Sequence, residues 1–581
     1  MPLPLLPAQP TIRSAGPART GQRIVLFDGY VDEPANFGVP PYLSPHARYL
    51  AGAARAADPA SVVSYLTVDE WRAGRKRELL TEADILVVIA GALVPGKYLR
   101  GTPVSFREAQ QVVASARKAE SMIAGSTALY GFGRGGGLEP AGKADLDRVF
   151  TYRARLHADA MLHDILRGAV TDRSVGGNRK RTFDEWRDWS ARGSFIVRDH
   201  PDHPQPLTAE IDTYHGCVRY VNGGCAFCME PKEGKPQFRP VDDVLAEIAA
   251  LAREGVRNFR IGGQACFYSY QAKGLGETPT PEPDPHAIES LLVGIHRVVP
   301  ELHTLHLDNV DPAVVAANPE ASREVTKLVV RHMTDGNIAA FGLESADPAV
   351  KAANNLNADA DTVFAAAEIL NQYGRSRGPN GFPAFLPGLN FIAGLPGETA
   401  ETYAHNERFL REYLARGLWA RRINIRKVVM NGEEARHVDP KRFQAFKEVV
   451  RHSIDQPLLK AMFPPGTVLK RVYTEQRDGK TTFGRPIGTY AMLVGIPYEV
   501  PLDRWVDVAI TDHGFRSLTG VVVPFDINQA NLKALEALPG VGKKRAVRLK
   551  VKQPYRDMGQ LEAALDDPAV AKQLAPLLSF R

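Results

Sequence analysis

TYHGCVRYVNGGCAFCME, Thr213 to Glu230, holds three of the chain's four cysteines: Cys217, Cys225 and Cys228, with seven residues between the first two and two between the last pair. The run before it, TAEID, reads as a strand that feeds directly into this loop. Three thiolates on one loop can ligate three irons of a 4Fe-4S cubane and leave the fourth iron open to a reactant. The other reading is a zinc site completed by Cys266. Zinc ribbons usually pair two short Cys-x-x-Cys turns, and only one is present.

Outward from the loop, strand-like runs recur with helical stretches such as DDVLAEIAALAREG between them. The runs are VRNFRIGGQACFYSY, HTLHLDNV, IAAFGLES, GLNFIAGLPGET and RRINIRKVV. This alternation over residues 206–460 resembles the partial (β/α) barrel of radical S-adenosylmethionine enzymes, which implies functional loops at the carboxyl ends of its strands.

The cysteine spacing, Phe227 just before the last cysteine, the Gly-Gly-Gln turn and GLPGE together resemble the radical S-adenosylmethionine (radical SAM) superfamily, although the first cysteine gap is longer than the commonest one. The resemblance implies a 4Fe-4S cluster on Cys217, Cys225 and Cys228. S-adenosylmethionine would chelate the open iron, and a low-potential donor such as ferredoxin or flavodoxin would supply the electron. It also implies cosubstrate contacts. Gly262, Gly263 and Gln264 form the turn after the second strand, and Glu344 and Ser345 end a later one. Asn390 lies in the fifth-strand motif with the Gly394–Gly397 turn, and Arg426 is on the last strand. His303, His306, Asp308 and Asp311 could be mistaken for a metal site. Only 306 and 308 share a strand face, and polar strand ends are ordinary in such barrels.

Upstream, IVLFDGY, SVVSYLTV, DILVVIAGAL and SMIAGSTA are continuous apolar runs separated by helix-length stretches, which predicts a Rossmann-like parallel sheet over 21–165. GFGRGGG, Gly131 to Gly137, lacks the G-x-G-x-x-G spacing and reads as a flexible loop. Domains of this kind precede the radical core in methylthiotransferases and in cobalamin-dependent members, and GVPPYLSPHARYL resembles their first loop and helix. This domain has no cysteine for a second cluster and no Asp-x-His-x-x-Gly loop, so cobalamin is without a sequence signature. Residues 1–20 read as a disordered leader. The polar, basic stretch 166–205 reads as a connector with a solvated face.

Beyond the core, 461–525 shows short alternating strands with Gly and Asp-Gly turns, which predicts a small antiparallel β-barrel. By place it matches the RNA-binding barrel of methylthiotransferases. Residues 526–581 contain LPGVGKKR, which resembles a helix-hairpin-helix. In that motif Gly540 and Gly542 free the backbone to meet a phosphate while Lys543, Lys544 and Arg545 add charge. The whole order resembles an uncharacterised archaeal group of radical SAM proteins ending in such a hairpin.

Composition sets the outer bounds. The 581 residues exceed one core, and 44% hydrophobic with 24% charged residues is ordinary for a globular protein. A net charge of +6 permits a polyanionic partner without demanding one. Four cysteines confined to Cys217–Cys266 exclude a distributed disulfide framework and fit a reducing cytoplasm. The expected function is a radical SAM enzyme that modifies RNA, tRNA in particular. A protein or metabolite substrate, or a structural cluster in a nucleic-acid-binding protein, are the alternatives.

Overall fold

The computed structural model describes residues 17–31, 41–91, 99–133, 141–170, 178–428 and 438–580. Most of the leader, Arg134–Gly137 of the glycine-rich run and the first residues of GVPPYLS therefore lie outside the described residues.

The chain opens with β1 (Arg23–Asp28) and then leaves that sheet for a short strand, β2 (Tyr42–Leu43), and a helix, Pro45–Ala57. It returns through β3 (Val62–Thr67), β4 (Ile85–Ile89), β5 (Glu120–Ala124) and β6 (Tyr152–Arg153). The first sheet is wholly parallel in the order β3-β1-β4-β5-β6. Its central strands are apolar on both faces because helices cover both sides, the usual reason for continuous Val/Ile/Leu runs. The order reverses beside β1, with β3 on one flank and β4 on the other, as in doubly wound sheets.

The second body begins at β7 (Thr208–Asp212) and passes through the paired strands β8 (Tyr214–His215) and β9 (Gln237–Phe238), which close the base of the cysteine loop. β10 (Asn258–Gly262), β11 (Thr304–Leu307), β12 (Asn337–Glu344), β13 (Phe385–Ala393) and β14 (Arg422–Lys427) follow. β7, β10 and β11 are parallel neighbours, as are β12, β13 and β14, and an Asn309–Ala340 bridge joins the two sets. Helices between the strands complete a partial (β/α) barrel. β2 pairs with β7, so a strand from the amino-terminal region edges the barrel sheet.

The stretch expected as a solvated connector is a correction. Thr182 caps the helix Phe183–Arg192 through a reciprocal bond with Glu185, and Trp186 and Trp189 of that helix are buried. Its polar composition hides two tryptophans three residues apart, which lie on one helical face. A Cβ on Gly52 would come 1.9 Å from the Trp189 carbonyl oxygen, so the two helices meet nearly backbone to backbone. Behind them the Arg239 and Arg48 guanidiniums share the Glu247 carboxylate, each at 2.6 Å, in the interior.

β15 (Val468–Asp478), β16 (Thr481–Pro486), β17 (Leu493–Ile496), β18 (Trp505–His513) and β19 (Ser517–Val523) close into a barrel in the order β15-β16-β17-β19-β18. One pairing, β17 with β19, is parallel. The chain crosses over after β17 to reach β18 and returns by a hairpin, so β19 runs the way β17 does. The carboxyl-terminal helices include Leu532–Glu536, Gly542–Val551, Met558–Leu565 and Pro568–Leu574, around an apolar cluster that also takes in Ala509 and Val521 of the small barrel. Among the described residues no helix is long and apolar enough to cross a membrane.

Candidate functional site

The cysteine loop emerges where β7 ends, at the carboxyl edge of the barrel sheet, where barrel enzymes place their chemistry. Cys217, Cys225 and Cys228 are partly exposed, whereas Cys266 is buried. The backbone N–H of Arg219 donates to Cys217 Sγ at 3.4 Å and its guanidinium donates to Cys225 Sγ at 3.0 Å. A turn from Cys225 O to Cys228 N, 3.0 Å, sets the close pair. The loop is also clamped from the far side of the barrel. Asn355 Nδ2 donates to the carbonyls of Asn222 (3.0 Å) and Gly224 (2.8 Å), and Ala226 N donates to Asn354 O at 3.0 Å. Asn354 in turn donates to Pro396 O at 2.8 Å. Phe227 and Cys225 pack with Leu395 and Ile392, so the loop leans on the GLPG turn.

Burial pushes the Cys217 and Cys225 thiols up to about 12 and Cys228 to about 11, with the carboxyls of Asp311 and Glu344 adding to the effect. Without a metal these thiols stay protonated; a metal ion would deprotonate them outright. Among the described residues, no group of three or more His, Cys, Asp or Glu side chains converges on a point that one ion could occupy. Cys266 Sγ instead accepts the Asp311 N–H at 3.2 Å.

Gly262 and Gly263 follow β10 closely over β7. A Cβ on Gly262 would fall 2.0 Å from Glu210 Oε1, and Gly263 has φ +71°, which favours glycine. Gln264 differs from the expected cosubstrate contact. Its side chain is buried, donating to Ile261 O (3.1 Å) and accepting from Thr213 Oγ1 (3.3 Å), so its amide is already satisfied by the protein. The Ser345 hydroxyl is likewise engaged, accepting from Asp347 N at 3.2 Å.

Glu344 is different. It ends β12 at φ +62°, a strained conformation for a side-chain-bearing residue, and its buried Oε2 has no hydrogen-bond partner. Burial raises its carboxyl to about 8, and its charge acts on Cys225 and Cys228. An orphaned buried carboxylate is costly unless a ligand completes it, and a cation beside it would restore its charge. Asn390 accepts from Asn424 Nδ2 at 2.9 Å, next to the half-buried Arg426, whose register partner is Ile392. Glu398 Oε2 accepts from Gly394 N at 2.6 Å and braces the turn.

Of the HTLHLDNVD group, His306 Nδ1 accepts from Thr489 N at 2.9 Å and ties the small barrel to the core, Asp308 pairs with Arg260, and His303 faces Arg471 at the surface. At the far end, Gly540 (φ +73°) and Gly542 (φ +59°) open the helix Gly542–Val551. Lys543 and Lys544 are exposed. Arg545, expected to add charge there, is engaged at 3.0 Å with both Asp566 and Asp567. Sequence reasoning also missed Arg219 and the Asn354–Asn355 clamp. The first was visible as a cation between the cysteines; the second had no local signal.

A match to the radical SAM superfamily spans residues 212–410, the loop through the fifth-strand motif. A protein of Methanocaldococcus jannaschii, itself uncharacterised, is 40% identical over 514 residues, covering 86% of this chain and 93% of that one. The chain belongs to the radical SAM superfamily. More distantly, the tRNA-2-methylthio-N(6)-dimethylallyladenosine synthase of Delftia acidovorans is 25% identical over 350 residues, 57% of this chain and 71% of that one. Among solved structures, the radical S-adenosylmethionine methyltransferase TsrM of Kitasatospora setae is similar with a TM-score of 0.45 at 13% identity, covering 70% of this chain and 73% of that one. This radical SAM enzyme therefore uses a 4Fe-4S cluster and S-adenosylmethionine. The residues present fit both: three protonated thiols on a clamped loop, a guanidinium beside one of them, and an unpartnered carboxyl facing the same space.

Proposed function

We propose that this enzyme modifies RNA, with tRNA as its substrate, working in a reducing cytoplasm and taking its electron from a ferredoxin or flavodoxin. When bound, the cluster would supply the electron for reductive cleavage of S-adenosylmethionine and so the radical chemistry that activates a C–H bond of the substrate. Around it, Cys217, Cys225 and Cys228 would hold iron, and Arg219 would offset the anionic charge at Cys225. Glu344 would receive the cosubstrate's ammonium, the contact that completes its unpartnered oxygen. The Gly262–Gly263 turn would offer backbone acceptors, and Asn390 and Arg426 would line the adenine and carboxylate ends. Phe227 and Leu395 keep water from the loop's inner side.

The observation that carries the enzymatic part is the unpartnered Glu344 carboxyl beside the three-cysteine loop. For the substrate, the reading is supported by the small barrel after the core, by exposed Lys543 and Lys544 at a glycine-opened helix start, and by the likeness to a tRNA-modifying enzyme. Mass spectrometry of tRNA nucleosides from a strain lacking the protein is the decisive test. One missing modification is expected, and an unchanged nucleoside profile would remove the RNA reading. Release of 5′-deoxyadenosine by reconstituted protein tests the chemistry separately.

A further inference from the structure

A cavity of about 540 Å³ lies between the carboxyl edge of the first sheet and the base of the cysteine loop. That size is within the range of small-molecule sites. Its walls include Val31 after β1, Gly91 after β4 and Gly125 after β5, so it spans the point where β3 and β4 leave β1 in opposite directions. Open α/β sheets bind ligands at that switch point, outside the carboxyl ends of their strands.

Three imidazoles line it: His46 from the helix Pro45–Ala57, His157 after β6 and His215 on β8. His46 is exposed and makes no hydrogen bond among the described residues, so both its ring nitrogens are available. His157 Nδ1 accepts the Arg181 N–H at 3.0 Å, which leaves Nε2 as the protonated donor. His215 Nε2 faces Arg181 Nη2 at 3.2 Å, which puts its proton on Nδ1. Burial holds His157 down to about 3, with Arg181 adding to the effect, so it is neutral at physiological pH. Arg181 is itself held by Asp159 and lies between the Tyr49 and Trp186 rings, at 4.7 and 4.9 Å. It is therefore a fixed part of the wall. The free cation is at the rim, where Lys235 is exposed and in no ion pair among the described residues. Exposed Arg155 lies on the same rim, 3.9 Å from Asp147.

Imidazoles that together donate and accept suit a heterocycle with both kinds of edge group, and a lysine at the rim suits an anion attached to it. We propose that this cavity is a nucleotide-binding pocket, separate from the S-adenosylmethionine site, that takes a base among His46, His157 and His215 and a phosphate at Lys235. The nucleotide is either free or a residue of an RNA strand, and the second source rests on the RNA-modification reading above.

The test is equilibrium dialysis of reconstituted full-length protein against the four nucleoside 5′-monophosphates, inorganic phosphate and a short single-stranded RNA. At least one monophosphate or the RNA is expected to bind, with inorganic phosphate at least tenfold weaker. His46→Ala should weaken binding by about tenfold, the loss of one good hydrogen bond. Leu129→Trp, which fills the cavity from a position 38% exposed, should weaken it further. Lys235→Gln changes only an exposed side chain and keeps the test valid if either of the others misfolds. Binding of monophosphates assigns a free nucleotide; binding of RNA alone assigns a strand. Binding of neither, or undiminished affinity in all three variants, overturns the proposal. Cleavage of S-adenosylmethionine is measured on the same samples. Its absence with nucleotide bound counts against the enzymatic reading alone, and its presence without nucleotide binding counts against the pocket alone.

Discussion

The cysteine loop and the terminal hairpin are both glycine-opened turns next to cations, yet they are built in opposite ways. The loop is pinned by residues distant in sequence, Asn354 and Asn355, while Arg219 and backbone N–H groups of the loop itself meet its thiols and the facing Glu344 Oε2 is left without a hydrogen-bond partner. In the hairpin Arg545 is turned inward onto Asp566 and Asp567, while its neighbours Lys543 and Lys544 project into solvent. A rigid frame around unsatisfied groups is what a reaction needs. Two solvated lysines at the start of a helix packed on the small barrel are what reversible contact with a polyanion needs. Substitutions in the first region should therefore abolish chemistry, and those in the second should only shift binding.

The largest effect is expected from Cys225→Ser in the loop. Iron and acid-labile sulfide should both be lost, with the visible absorbance, and 5′-deoxyadenosine formation should fall to background. A Cys225→Ser protein that keeps the wild-type iron content would break the comparison at its strongest point. Glu344→Gln comes next. It keeps shape and cluster but removes the charged acceptor, so the cluster spectrum should persist while KM for S-adenosylmethionine rises roughly 10- to 100-fold, the range for a hydrogen bond to a charged group. An unchanged KM would show that the orphaned oxygen faces something else.

How far the sequence reached follows the same division. The cysteines were legible because their spacing is a property of one short covalent stretch. Glu344 was legible as a strand-end residue, but its lack of a partner depends on where β12 ends and on a left-handed backbone that no spacing rule reveals. The Asn355 clamp closes a gap of more than a hundred residues, and Asn355 looks like any loop asparagine until the barrel brings it to Gly224. Gln264 stands where the resemblance implies a contact to the cosubstrate, whereas Thr213, just past β7, and Ile261 O hold its amide in the wall. Arg545 was indistinguishable from Lys543 and Lys544 in sequence. Its partners lie some twenty residues on, in the loop between the last two helices.

Asn355 gives a sharper test of the clamp. Its φ is +49°, so Asn355→Ala loses two hydrogen bonds and adds backbone strain, about 2 to 3 kcal/mol in all. Asn355→Gly relieves the strain and loses only the bonds. Thermal midpoints should fall in the order wild type, Asn355→Gly, Asn355→Ala, with faster loss of cluster absorbance in the same order. Equal midpoints for all three would mean that the loop holds itself.

The smallest effect belongs to the hairpin. Replacing Lys543 and Lys544 with glutamine removes two charges from exposed positions that make no ion pair among the described residues, so neither the fold nor cleavage of S-adenosylmethionine should change. If both lysines meet phosphates, two counterion-releasing contacts vanish, and the slope of log K against log salt for RNA binding should flatten by about 1.5. Affinity should drop most at low salt and converge with wild type as salt rises. A parallel downward shift at every salt concentration would instead mean that the lysines shape the hairpin, and an unchanged slope would leave the positive charge of this end without a phosphate to meet.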